Sequence, residues 1–97
     1  MYITVTKGFF KEGSVEYACA IDVNKDIVVH KTFEQALEYH KRMLDECKNN
    51  YAGFITNDAQ FISEKKNKEI ATVVEYTTGN GNNYKTVYQT TYKNYED

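Results

Sequence analysis

Two cysteines and two histidines are the residues whose chemistry suits a nucleophile or a metal: Cys19, His30, His40 and Cys47. His40 and Cys47 fall on one face of an expected helix. That spacing separates them by ~10 Å, whereas two ligands of one zinc ion must each approach within ~2.3 Å of it. No metal site is therefore expected, and nothing in the chain asks for a cofactor. Cys19 and His40 would form a nucleophile–base pair if the helix crossed the sheet above Cys19. A reactive thiol, however, needs partial exposure and a positive environment, and strand alternation sets Cys19 among Tyr17, Ile21 and Val5. No nucleophile, base and orienting group can be assembled. No catalytic residue is assigned, and a protein that is not an enzyme is expected.

Two other stretches invite comparison with binding motifs. Gly79-Asn80-Gly81 lacks the further glycine of a dinucleotide fingerprint: position 84 is Tyr84, and a strand follows where a helix should open. It reads as a hairpin turn. Lys65, Lys66 and Lys68 form a local basic run between Glu64 and Glu69. They read first as a solvated turn and second as a nucleic-acid contact. The remaining signal is aromatic. Residues 84–95, YKTVYQTTYKNY, hold four tyrosines and no acidic group. Lys, Asn, Tyr and Ile, all with A/T-rich codons, make up 35 of the 97 residues, so the placement of tyrosine says more than its abundance.

A chain of 97 residues, 41% hydrophobic and 27% charged, fits one globular domain over 1–97. Its net charge of −2, with a single arginine at position 42, speaks against a dedicated reader of duplex DNA. The cysteines lack the spacing of a disulfide framework. No apolar run approaches ~18 residues and no leader precedes the first strand. An intracellular, cytoplasmic protein with no membrane partner is expected.

The elements that must position these residues follow from periodicity. Segments 2–10 and 15–23 alternate, and a three-residue loop, Lys11-Glu12-Gly13, would set Phe10 opposite Ser14, Val5 opposite Cys19 and Ile3 opposite Ile21. A third strand over 27–31 follows the turn Asn24-Lys25-Asp26. Thr32-Phe33-Glu34-Gln35 is a capping box for a helix over 33–48. Its apolar stripe is Phe33, Ala36, Leu37, His40, Met43, Leu44 and Cys47. Residues 53–56 look extended, and a strand is expected around 60–64. The last hairpin joins 69–78 to the tyrosine stretch through loop 79–83, with Tyr76 opposite Thr86 and Val74 opposite Tyr88. The expected fold is α+β: a five- or six-stranded antiparallel sheet with one main helix, in the order βββα followed by two or three strands.

Six strands at ~4.8 Å spacing span roughly 25–30 Å, and a helix covers only ~10–12 Å of that. The face of the first hairpin carrying Ile3, Val5 and Phe9 is the expected seat for the helix. The face with Ile70, Val74, Tyr76, Tyr84, Tyr88 and Tyr92 would then lack a full cover. It would be enclosed by curling of the sheet, by a homodimer, or by another macromolecule. The functional expectation is a non-enzymatic binding protein that inhibits or modulates a larger protein target through Tyr76, Tyr84, Tyr88 and Tyr92 or through a sheet edge. Small domains of this kind are associated with phages and mobile elements, as counter-defence proteins in the host cytoplasm. The alternative is a single-stranded nucleic-acid binder that stacks bases on the tyrosines, aided by Lys85 and Lys93 and by Lys65, Lys66 and Lys68.

Overall fold

The computed structural model describes residues 1–19, 26–63 and 68–93. The fold is α+β, with elements β1 (Tyr2–Glu12), β2 (Val15–Ala18), β3 (Ile27–His30), α1 (Phe33–Asn50), β4 (Ile55–Ser63), β5 (Glu69–Thr77) and β6 (Asn83–Tyr92). They form one antiparallel sheet in the order β2-β1-β6-β5-β4, with β3 also on β1. β2 pairs with residues 9–12 of β1 and β3 with residues 2–5, so both share one edge of that long strand. On its other edge β1 pairs with β6 along residues 2–11, joining the first and last strands.

The helix forms as its sequence requires. The Thr32 hydroxyl accepts from the Gln35 amide at 3.1 Å, and the Gln35 side-chain oxygen accepts from the Thr32 and Lys31 amides at 3.3 and 3.0 Å. The capping box thus satisfies amides that a helix start leaves without intrahelical partners. Replacing Thr32 with alanine is expected to lower stability by about 1 kcal/mol, read as a fall in the urea midpoint at constant m-value. At the other end the Tyr51 amide donates to the Cys47 carbonyl at 3.0 Å.

The first hairpin differs from expectation. Gly13 takes φ +63° in a two-residue turn with Ser14, so Glu12 faces Val15 and Phe10 faces Tyr17. The left-handed conformation that glycine permits suits this tight turn, whose twist matches that of the flanking strands. Phe10 therefore meets Tyr17 instead of Ser14, a shift of three residues. An odd shift exchanges faces. Cys19 lies beyond the end of β2 and is exposed, not packed between Tyr17 and Val5, and its amide donates to the Gly8 carbonyl at 2.8 Å. The expected pairing of Ile3 with Ile21 is replaced by Ile3 with Val29 on β3. Residues 20–25, and with them the expected end of the second strand and most of the following turn, lie outside the described residues.

The last hairpin is also shifted, but by two: Tyr76 faces Tyr84, Val74 faces Thr86 and Thr72 faces Tyr88. An even shift keeps every side chain on its expected face. β4 is a full strand from Ile55, longer than the segment 60–64 read from the sequence, and it pairs with β5 from Ile55 to Ser63.

Helix seat and sheet parity decide where the core lies. In β1, β3, β5 and β6 the buried residues are all even-numbered: Tyr2, Thr4, His30, Ile70, Thr72, Val74 and Thr90. Ala36, His40 and Cys47 meet them from α1. The helix thus sits on the face opposite Ile3, Val5 and Phe9, over the face that carries the tyrosines.

Candidate functional site

Beneath the helix, where aliphatic packing is usual, lies a chain of polar side chains. His40 Nδ1 is 2.8 Å from the Thr72 hydroxyl and His40 Nε2 is 2.5 Å from the Thr90 hydroxyl. Thr90 bonds Thr4, and Thr4 lies 2.9 Å from His30 Nε2. At the other end the Gln60 amide donates to Thr72 at 3.2 Å. An amide nitrogen can only donate, and each hydroxyl has one proton. One direction then lets every hydroxyl proton meet an acceptor of the chain. Gln60 donates to Thr72, Thr72 to His40 Nδ1, His40 Nε2–H to Thr90, Thr90 to Thr4, and Thr4 to His30 Nε2. This assigns His40 as the Nε2–H tautomer. Burial, followed by the nearby His30, pushes the His40 pKa down to about 4. Burial, then the Arg42 charge, also lowers that of His30. Both nitrogens of His40 are engaged, so it has no lone pair or proton to offer a substrate in this arrangement.

Past the C-terminal end of α1 the same face of the sheet carries a transverse row of rings. Tyr51 stacks on Tyr76 with centroids 4.0 Å apart and planes 20° apart, and Tyr76 stacks on Tyr84 at 5.7 Å. Tyr84 meets Phe10 edge-on at 5.6 Å, and Phe10 stacks on Tyr17 at 6.4 Å. Cross-strand register builds this row directly, since Tyr76 faces Tyr84, Tyr84 faces Phe10 and Phe10 faces Tyr17. Tyr51, just after the helix, closes one end; Tyr17, 53% exposed on the edge strand β2, opens the other. Burial pushes the Tyr76 hydroxyl pKa up to about 12, so it remains a protonated donor at neutral pH. Offset and edge-on rings at these distances support one another and present faces, edges and hydroxyls on a rigid strand frame.

The four tyrosines singled out from the sequence are thus divided. Tyr76 and Tyr84 belong to the row. Tyr88 is half-buried, and burial, with Cys47 next in order, pushes its pKa up to about 12. Tyr92 lies toward the start of the helix, edge-on to Tyr2 at 5.2 Å, with Tyr2 in turn 5.8 Å from Phe33. Phe10, Tyr17 and Tyr51 complete the row and escaped the sequence reading. A two-residue turn at Gly13-Ser14 was the signal that would have placed Tyr17 opposite Phe10.

The lysines are dispersed. Lys85 points to the other face of the sheet, where it pairs with Glu16 at 3.1 Å and lies over the Phe9 ring. Lys68, in the left-handed conformation, sets its ammonium 5.5 Å from the centre of the Phe33 ring. Lys93 is exposed, and its amide donates to the Met1 carbonyl at 2.9 Å. Lys65 and Lys66 lie outside the described residues. Among the described residues no three His, Cys, Asp or Glu side chains gather as a metal site, and no helix is long and apolar enough to cross a membrane. No family model matches the sequence, and no curated protein or solved structure matches it either.

Proposed function

We propose that the protein is a non-enzymatic binding module that attaches to a larger protein in the cytoplasm and blocks or modulates it. The row Tyr51, Tyr76, Tyr84, Phe10 and Tyr17 is the contact surface. The observation that carries this reading is the row itself: five rings in mutual contact, left beyond the end of the only helix among the described residues. Tyrosine and phenylalanine supply large, rigid area at small entropic cost, and tyrosine tolerates a wet rim. Lys11 and Lys85, the described lysines on the strands at this end, lie on the opposite face and are paired with Glu75 and Glu16. That favours a protein partner over a nucleic acid, whose backbone would need free cations beside the rings. A counter-defence role in a phage or mobile element is the biological setting this reading fits, by association of size and composition.

Capture from a host lysate, with and without nuclease, tests the reading. The wild-type protein should retain a nuclease-resistant protein partner. Tyr17→Ser, on an exposed edge strand, should leave the fold intact and weaken capture by about thirtyfold, as loss of one hot-spot tyrosine does. Equal capture by wild type and Tyr17→Ser would remove the row as the surface. Capture abolished by nuclease would transfer the reading to single-stranded nucleic acid.

A further inference from the structure

The face of the sheet away from the helix is its more aliphatic one, and among the described residues nothing covers it. Ile3, Val5, Val29, Phe61, Val73 and Val87 lie on it, and none of them is buried; Val29 is 55% and Phe61 61% exposed. The covered face sets Ile70 and Val74 among threonines and tyrosines.

We propose that this face is closed by a second copy of the chain, packed sheet on sheet about a two-fold axis. The inference is independent of the aromatic row, which lies on the other face. Area argues for it first. Five strands at ~4.8 Å by about eight residues at ~3.3 Å give roughly 600 Å² per chain. Over two chains that is roughly 1,200 Å², the lower end of the range that specific, stable interfaces bury. Shape argues second. Two sheets of identical twist pack face to face ~10 Å apart with strands within about 30° of each other, and a two-fold makes the contact self-complementary.

Charge argues third. At one end of the face Lys11 pairs with Glu75 at 2.9 Å and Lys85 with Glu16 at 3.1 Å, so these charges are neutralised within each chain. Lys7 also lies on this face, at the point of β1 between its ladders with β2 and β3. Its four-carbon stem is long enough to carry the ammonium to that edge while the methylenes cover apolar surface.

Sedimentation equilibrium across the micromolar range tests the proposal on the full chain. The wild type should sediment as twice the chain mass of 11.3 kDa. Val87→Glu, at the centre of the face, and Val29→Lys, at its exposed margin, should each reduce the mass to one chain while circular dichroism stays that of the wild type. Tyr17→Ser should leave the dimer intact. A single-chain mass for the wild type overturns the proposal whether or not the variants fold. So does a dimer that survives Val29→Lys but is lost in Tyr17→Ser, which would place the contact on the aromatic row.

Discussion

Alanine in place of His40 is expected to lower stability by about 3–5 kcal/mol, a large part of the roughly 5–15 kcal/mol that holds a domain of this size. Two effects add. Removing a fully buried ring leaves a cavity between helix and sheet. The Thr72 hydroxyl loses its acceptor and the Thr90 hydroxyl its donor, in a place where water does not readily replace them. The comparison that isolates the second effect is His40→Leu combined with Thr72→Val and Thr90→Val. That variant removes the polar groups as a set and should recover most of the loss, because an apolar replacement of a whole buried network is often neutral. Thr4 would keep His30 as its partner, and Gln60, only partly buried, could turn to solvent. Urea unfolding of the three proteins supplies the measurement. A loss below about 1 kcal/mol for His40→Ala would mean that the chain of hydroxyls re-forms without the ring.

Acidification is expected to remove about 3 kcal/mol of the same stability, through the same residue. His40 titrates near 4 in the folded protein against an ordinary value of 6.5. As pH falls, the unfolded chain takes up this proton first, so stability present above 6.5 is lost progressively between 6.5 and 4 and gone below 4. His30, also lowered by burial, acts in the same direction. Protonated His40 would have to donate from both nitrogens, and Thr72, which already accepts from Gln60, would be left with a proton facing no acceptor. Unfolding free energies of the wild type and the Leu/Val/Val variant at pH 7 and pH 4 measure the difference. A wild-type loss no greater than the variant's would contradict the assignment to His40.

Much of the architecture was legible from short-range patterns. The helix was, because the Thr32–Gln35 capping box and a 3.6-residue stripe act within a few turns of chain. The last hairpin was, in its faces if not its pairing, because its register moved by an even number and alternation survives that. The first hairpin was not. Two loop lengths fit Lys11-Glu12-Gly13-Ser14, and the one that forms differs by an odd shift, which exchanges partners and exposes β2. The candidate row fell on the wrong side of this difference. Tyr76 and Tyr84 could be named from their strand pattern, while Phe10, Tyr17 and Tyr51 join them through pairings and a helix end distant in sequence.

The choice of face was beyond any local pattern. β1 offers Tyr2 and Thr4 on one side and Ile3, Val5 and Phe9 on the other, and period-two alternation defines both faces without ranking them. Hydrophobicity favours the second. The helix takes the first, and His40 gives the physical reason: an imidazole at the centre of the buried stripe must find hydrogen-bond partners, and the threonines of β5 and β6 provide them, with Thr4 of β1 bonded to Thr90 behind. The β5–β6 hairpin brings Thr72 and Thr90 together, and Thr4 joins them when the first strand pairs with the last. Residue types and periods therefore specified which elements form. Long-range pairing and the demands of one buried polar ring settled which face the helix covers, which rings were left at its end, and which aliphatic face lies opposite.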